Sequence, residues 1–153
     1  MIKHKGIKHN IINDAPFIGA IIIAPTCNKG CRDCINKHLK RDKVSIYKEP
    51  VKKIIYKIKN NPFDKGLILA GLEWTESSND MKKLIEETLK EKLEVMLYTY
   101  LVEDKFKQKF PKLYKLPIWV KFGEYNKKFK NDNYFSYGVK LATTNQYIKK
   151  LKE

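Results

Sequence analysis

Three clustered cysteines are the residues of this chain best suited to chemistry. They lie in the segment Cys27-Asn28-Lys29-Gly30-Cys31-Arg32-Asp33-Cys34, with the spacing C-x3-C-x2-C, and no other cysteine occurs among the 153 residues. Three thiolates on one short loop can bind three irons of a cubane cluster. The remaining iron would then lack a protein ligand and could bind a substrate, as open metal sites do. The spacing therefore predicts a [4Fe-4S] cluster on Cys27, Cys31 and Cys34.

Two other interpretations of the cysteines remain open. His38 lies four residues after Cys34, so a Cys3His zinc site in a non-enzymatic module is possible, because zinc uses these ligand types at similar spacings. The cysteines could also be three unrelated buried thiols, but their confinement to eight residues argues against this.

An odd number of cysteines cannot all pair within one chain, which excludes a disulfide framework as the main support. Reduced thiols are typical of the cytoplasm, where we expect the protein to act.

Apolar runs alternate along the sequence with segments of helical period. The runs predict strands at residues 17–24, 66–71, 93–100, 116–122 and 134–141. The apolar spacing predicts helices at residues 49–60, 79–91, 103–113 and 144–152, with Asn79 as the N-cap of the second. Continuously apolar strands between helices are typical of an α/β parallel sheet.

The length matches one domain, so we expect a single domain over residues 1–153. In open parallel sheets and in barrels, chemistry takes place where the strands end at their carboxyl side. The cysteine segment follows the first predicted parallel strand. The residues after the other strands are therefore the next candidates for a site.

The cysteine spacing resembles the signature of the radical S-adenosylmethionine (SAM) superfamily. Over most of its length the chain is similar, at the level of motifs, to the activating proteins of anaerobic ribonucleoside-triphosphate reductase. Asn36 matches a frequent Cys-His-Asn motif, with Ile35 in place of the histidine, and Asp33 stands where an aromatic residue is common. The resemblance implies a small partial (β/α) barrel with a curved, mainly parallel sheet.

A second resemblance follows the strand at residues 66–71. Gly71 and Glu73 match the family's Gly-Gly-Glu motif, although Leu72 and Trp74 replace its second glycine and the proline that usually follows. A glycine there allows close approach of the methionine part of SAM, and a carboxylate can accept a hydrogen bond from the SAM ammonium. The competing interpretation is that Glu73 only caps the next element.

Weaker matches follow the later strands. Tyr98-Thr99 resembles a Tyr-Thr-Gly motif, Phe122-Gly123-Glu124-Tyr125 resembles a glycine turn, and Thr143-Thr144-Asn145-Gln146 resembles a Ser-Ser-Asn-Gln run. Together with the earlier motifs, the resemblance implies that SAM is bound by Asn36, Gly71, Glu73 and Thr99.

The resemblance also implies a reaction. A radical SAM enzyme of this kind uses its [4Fe-4S] cluster to cleave SAM reductively and generates a glycyl radical on an anaerobic ribonucleotide reductase subunit. Its partners would be that protein substrate and an external one-electron donor such as a flavodoxin. The alternatives are a radical SAM enzyme with another substrate and the zinc module described above.

The net charge of +15 is compatible with an acidic partner. Only two of the 32 basic residues, Arg32 and Arg41, are arginine, and the lysines are scattered over the whole chain. Specific recognition of bases and phosphates favours arginine, so this composition argues against nucleic acid as the main partner. No apolar run approaches the ~20 residues that a membrane helix needs, so we expect no membrane partner.

Overall fold

The structure, a computed structural model, describes residues 1–27 and 45–153. The strands are β1 (Ile2–His4), β2 (Ile7–Ile11), β3 (Gly19–Ile23), β4 (Tyr47–Glu49), β5 (Gly66–Ala70), β6 (Glu94–Tyr98), β7 (Trp119–Phe122), β8 (Phe135–Ser136), β9 (Val139–Lys140) and β10 (Tyr147–Lys150). The α-helices are α1 (Val51–Lys59), α2 (Ser78–Lys90) and α3 (Glu103–Lys109). Short 3-10 helices cover Trp74–Ser77, Leu113–Lys115 and Lys127–Phe129.

A six-stranded sheet in the order β10-β7-β6-β5-β3-β2 organises this mixed α/β fold. Its four central strands, β3, β5, β6 and β7, are parallel to one another. The edge strands β2 and β10 are antiparallel to β3 and β7. The first four of the five predicted strands are thus confirmed, and they are parallel. Within the described residues the sheet does not close into a barrel, and the partial barrel stays a prediction.

The two faces of the sheet have different coverings. Successive side chains of a strand point to opposite faces, and in β5 Leu67 and Leu69 belong to the larger core while Ile68 and Ala70 belong to the smaller one. Helices α1 and α2 cover the first face, with buried residues such as Ile54, Met81 and Leu84. The second face packs against Ala15 and against residues of the C-terminal region, Val139, Leu141 and Ile148.

Helices α1 and α2 confirm two of the predicted helices, but the predicted cap of α2 is wrong. The 3-10 helix Trp74–Ser77 leads directly into α2, so Asn79 lies inside the first turn instead of at its N-cap. The third helix ends at Lys109, and residues 110–113 do not continue it. None of the helices formed by residues 1–27 and 45–153 has the length and apolar character needed to cross a bilayer.

The C-terminal region differs most from the prediction. Residues 134–141 form the hairpin β8–β9 instead of one strand. The helix predicted at residues 144–152 is wrong, because residues Tyr147–Lys150 form β10. Tyr147 is paired with Phe122 of β7, and burial alternates along β10 with Ile148 inside. Backbone pairing with a buried neighbouring strand and burial of Ile148 outweigh the local helical pattern.

Candidate functional site

The carboxyl ends of the four parallel strands bring the candidate residues to one edge of the sheet. This strand-end edge comprises residues 24–27 after β3, 71–73 after β5, 99–101 after β6 and 123–124 after β7. Parallel strands place all their carboxyl ends on the same side, so segments far apart in sequence meet there. Of the predicted site residues, Cys27, Gly71, Glu73 and Thr99 lie at this edge.

Cys27 follows the end of β3 by four residues, and backbone hydrogen bonds hold the segment that leads to it. The N–H of Ala24 donates to the carbonyl oxygen of Ala70 at 3.1 Å, and the N–H of Glu73 donates to the carbonyl oxygen of Thr26 at 3.0 Å. Cys27 is partly buried and packs against the larger core. The first predicted cluster ligand is therefore held beside the segment that follows β5.

The other residues predicted from the cysteine loop lie outside the described residues. These are Cys31, Cys34, Asn36 and the alternative zinc ligand His38. Among the residues that the structure describes, no group of three His, Cys, Asp or Glu side chains could hold a metal ion.

Gly71 occupies a position where a side chain does not fit. Its φ is +88°, and an added Cβ would lie 2.6 Å from Cγ2 of Ile23 in the neighbouring strand β3. Both the left-handed backbone and the short distance require glycine. This requirement explains the glycine of the motif by the packing of β3 against the end of β5.

Glu73 is a buried carboxylate that joins the ends of β5 and β6. Its Oε1 accepts a hydrogen bond from the backbone N–H of Tyr100 at 2.8 Å. Its Oε2 accepts from the hydroxyl of Thr99 at 2.9 Å, and from both the hydroxyl and the N–H of Thr75 at 2.7 and 3.2 Å. The side chain caps the 3-10 helix that begins at Trp74, as the competing interpretation of Glu73 expected.

The environment of Glu73 disfavours its charge despite these hydrogen bonds. Burial raises the pKa of the Glu73 carboxyl above its usual value, while the hydrogen bonds from Thr75, Tyr100 and Thr99 act in the opposite direction. Only Oε1 retains room for a further donor, since a carboxylate oxygen accepts about two hydrogen bonds. Acceptance of a hydrogen bond from the SAM ammonium by Glu73 stays a prediction.

Thr99 and Tyr100 connect Glu73 to the next strand and to Cys27. The N–H of Thr99 donates to Lys121 in β7 at 3.0 Å, and the hydroxyl of Tyr100 donates to Glu76 at 2.9 Å. Burial, the hydrogen bond to Glu76 and the negative charges of nearby groups, among them Cys27, raise the pKa of the Tyr100 hydroxyl. Tyr100, which stands where the related motif has glycine, therefore stays protonated near the first cysteine.

Lys121 is a further polar residue at this edge that the motif analysis missed. It is buried in β7, its ammonium donates to the carbonyl oxygen of Gly123 at 2.9 Å, and it lies 5.7 Å from the ring centre of Tyr98. The signal in the sequence was a single lysine inside the apolar run Leu116–Phe122, because lysine is almost never buried without a specific partner.

The segment that resembles Ser-Ser-Asn-Gln braces the turn after β7. The side-chain amide of Gln146 donates to the carbonyl oxygen of Gly123 at 3.3 Å, and that of Asn145 donates to the carbonyl oxygen of Glu124 at 2.9 Å. Gln146 is buried and its Oε1 accepts from the N–H of Thr143 at 3.3 Å. Two separately recognised motifs thus form one unit at the edge.

A comparison with protein families finds a match to the 4Fe-4S single cluster domain over residues 19–144. The chain belongs to this family. The matched range begins with β3, includes all three cysteines and ends three residues before β10. Searches of curated proteins and of solved structures found no match.

The family supports the [4Fe-4S] cluster over the zinc alternative. All three cysteines lie within the matched range, and thiolates are the ligands that such clusters use. The described part of the site fits this cofactor, because Cys27 supplies a sulfur donor four residues after the end of β3, partly buried against the larger core. A single-cluster iron–sulfur domain is compatible with a radical SAM oxidoreductase at this general level.

Proposed function

We propose that this chain is a radical SAM enzyme that generates a glycyl radical on an anaerobic ribonucleotide reductase subunit. The proposal is carried by two observations: the C-x3-C-x2-C segment lies within the 4Fe-4S single cluster domain, and its first cysteine, Cys27, lies at the strand-end edge. Three cysteines for four irons leave one iron available to SAM. The motif resemblance to the reductase-activating proteins supports the choice of substrate.

In this proposal the side chains of the chain bind and orient, while the cofactors supply the bond-breaking chemistry. Cys27, Cys31 and Cys34 would hold the cluster, and Asn36 would contribute to the binding of SAM. When bound and reduced, the cluster would supply the one electron with which SAM is cleaved to methionine and 5′-deoxyadenosine, the hydrogen atom coming from a glycine of the partner and leaving a glycyl radical there.

The strand-end edge supports the binding of SAM by its geometry. Gly71 lets the end of β5 pack closely on Ile23 of β3, and the hydrogen bond from Thr99 to Glu73 joins the ends of β5 and β6. A rigid edge of this kind limits the motion of a bound reactant, which is how positioned groups lower a reaction barrier. The electron comes from an external one-electron donor such as a flavodoxin, in the reducing cytoplasm.

The decisive experiment uses protein purified and reconstituted without oxygen. We expect brown protein containing iron and sulfide, and reductive cleavage of SAM to 5′-deoxyadenosine and methionine. The Cys31→Ala variant should lose both the intact cluster and the cleavage. Colourless protein with stoichiometric zinc would contradict the proposal at its first step.

The glycyl radical is tested by electron paramagnetic resonance. Reduced protein, SAM and the anaerobic reductase subunit of the same organism should give a glycine-centred radical signal. If SAM is cleaved but a competent reductase subunit never shows this signal, the enzyme acts on another substrate.

A further inference from the structure

Residues 126–144, called the C-terminal ribbon below, begin with the 3-10 helix Lys127–Phe129 and continue as two paired segments. Its two segments are joined by backbone hydrogen bonds from Asn131 to Ala142 at 3.1 Å, from Leu141 to Tyr134 at 2.9 Å and from Thr144 to Phe129 at 2.8 Å. The hairpin β8–β9 forms the tip, where Tyr137 and Gly138 both have positive φ, at 50° and 77°. Such a pair of residues is typical of a tight two-residue hairpin turn.

The inner side of the C-terminal ribbon is anchored to the protein. Val139, Leu141 and Thr143 alternate with exposed residues and are buried. Val139 and Leu141 pack with Ile68 and Met96 of the central strands. The ribbon is therefore a fixed part of the fold, and its outer side is presented in a defined orientation.

The outer side of the ribbon exposes large aromatic residues. Phe129 and Phe135 have exposed fractions of 48% and 58%, whereas Tyr137 at the tip is 60% exposed but packs its ring edge-on against Trp119 of β7, with 4.9 Å between the ring centres. Phe135 is paired with Lys140 across the hairpin, and directly opposite residues of antiparallel strands project on the same face. Aromatic residues are enriched at the centres of protein interfaces, where they bury much area at a low cost in conformational entropy.

The charge of the C-terminal ribbon is predominantly positive. Residues 126–144 contain four lysines, Lys127, Lys128, Lys130 and Lys140, and a single acidic residue, Asp132. All four lysines are exposed. Exposed aromatic residues among lysines are complementary to a protein surface with apolar positions and negative charge.

The base of the C-terminal ribbon lies at the strand-end edge. The N–H of Gly123 donates to the carbonyl oxygen of Leu101 at 2.9 Å, and Leu101 follows Thr99 by two residues. The ribbon begins three residues after Gly123. Its second segment leads back to Asn145, whose side-chain amide donates a hydrogen bond to the carbonyl oxygen of Glu124. A partner lying along the ribbon would therefore reach the edge where Cys27, Glu73 and Thr99 lie.

We propose that the outer side of the C-terminal ribbon is the docking surface for an acidic protein substrate. This inference rests on the proposed function, in which a hydrogen atom is taken from the backbone of another protein. Single-stranded nucleic acid also binds to aromatic residues among lysines. The ribbon contains no arginine, the residue that phosphate recognition prefers, and the proposed reaction requires a protein, so the acidic protein is the occupant.

The test measures binding of the reconstituted protein to the anaerobic reductase subunit of the same organism. The double variant Phe129→Ala/Phe135→Ala should raise the Kd by about tenfold or more, as expected for central aromatic contacts. The matched control is Tyr56→Ala/Phe63→Ala, because these aromatic residues are 68% and 63% exposed but lie in α1 and in the turn after it. The control should change the Kd by less than about twofold.

A charge-reversal pair tests the electrostatic part of the inference. Lys127→Glu/Lys128→Glu should slow association and flatten its dependence on salt, since charges at an interface act mainly on the association rate. The control pair Lys52→Glu/Lys53→Glu changes the net charge equally on α1 and should have a smaller effect. Cluster content and circular dichroism verify that each variant is folded and loaded.

The possible outcomes separate this inference from the proposed function. If the wild-type protein activates the reductase and all variants bind it equally well, the ribbon is not the docking surface, while the proposed function stands. If the ribbon variants lose binding to a single-stranded DNA oligonucleotide but keep binding to the reductase, nucleic acid is the occupant and the inference is overturned. If the loaded wild-type protein does not cleave SAM, the proposed function itself fails.

Discussion

Replacement of Glu73 by alanine tests the hydrogen-bond network of the strand-end edge. The variant removes the acceptor of four donors, the hydroxyls of Thr75 and Thr99 and the backbone N–H groups of Thr75 and Tyr100. The hydroxyls can rotate toward other acceptors, but the two N–H groups are fixed by the backbone. The stability of the variant therefore depends mainly on these two groups.

The magnitude follows from the cost of an unsatisfied donor, about 1–3 kcal/mol when it is buried. Thr75 and Tyr100 are only partly buried, and removing Glu73 relieves the burial of a carboxylate whose pKa is raised. We therefore take the lower part of this range for each of the two N–H groups. Together they should lower the free energy of unfolding by about 2–4 kcal/mol. In a domain of this size the melting temperature would fall by roughly 4–16 °C.

The assay is urea unfolding of the anaerobically reconstituted protein, followed by circular dichroism. Glu73→Gln should lose about half as much or less, because its amide keeps one acceptor and the hydroxyls can accept from its N–H groups. Glu91→Ala is the control, since its exposed ion pair with Lys59 contributes at most about 1 kcal/mol. An alanine variant as stable as the wild type would refute the network as a structural element. A glutamine variant of wild-type stability that has lost SAM affinity would instead favour a direct contact with SAM.

Two further predictions concern a glycine and an ion-pair cluster. Gly71→Ala should lower the free energy of unfolding by about 2–4 kcal/mol, because it adds a clash with Ile23 to an unfavourable φ; Gly138→Ala, at φ +77° with open space around it, should lose less in the same urea assay, and equal losses would contradict the clash. Although burial opposes it, hydrogen bonds from Lys149 and two tyrosines lower the pKa of Glu103 to about 2. Since the carboxylate is favoured in the folded state, its stabilisation is complete above pH ~4.5 and is lost as the pH falls toward ~2. The difference in melting temperature between wild type and Glu103→Gln should shrink over that interval, and a difference that is constant with pH would refute the assignment.

The centre of the fold could be predicted because each parallel strand is buried on both faces. The run Gly66–Ala70 is buried throughout, and such a continuous apolar signal needs no knowledge of the neighbours. Strand β10 could not be predicted in this way. Its residues Tyr147–Lys150 become a strand only because β7 offers an unpaired backbone edge, and that partner lies more than twenty residues earlier in the chain.

The candidate site also has features that the sequence predicts and features that it does not. The positions of Cys27, Gly71 and Glu73 at one edge follow from the parallel direction of the strands, which the sequence pattern indicates. The bonds of Glu73 to Thr75 and Tyr100 could not be read from the sequence, because a carboxylate after a strand is equally suited to a ligand or to a cap. The burial of the Glu73 side chain and the number of donors around it show that it serves as a cap.

Both outermost strands of the large sheet come from outside the span shared with the family. The shared span is residues 19–144, whereas β2 ends at Ile11 and β10 begins at Tyr147. A fragment trimmed to that span would leave β3 and β7 as edge strands with unpaired backbone N–H and C=O groups. Such exposed edges favour strand pairing between molecules. With β2 and β10 present, Lys8, Lys149 and Lys150 lie on the two outermost strands instead. The flanking strands therefore protect the central sheet from pairing with other copies of the protein, and they should be retained in any shortened version.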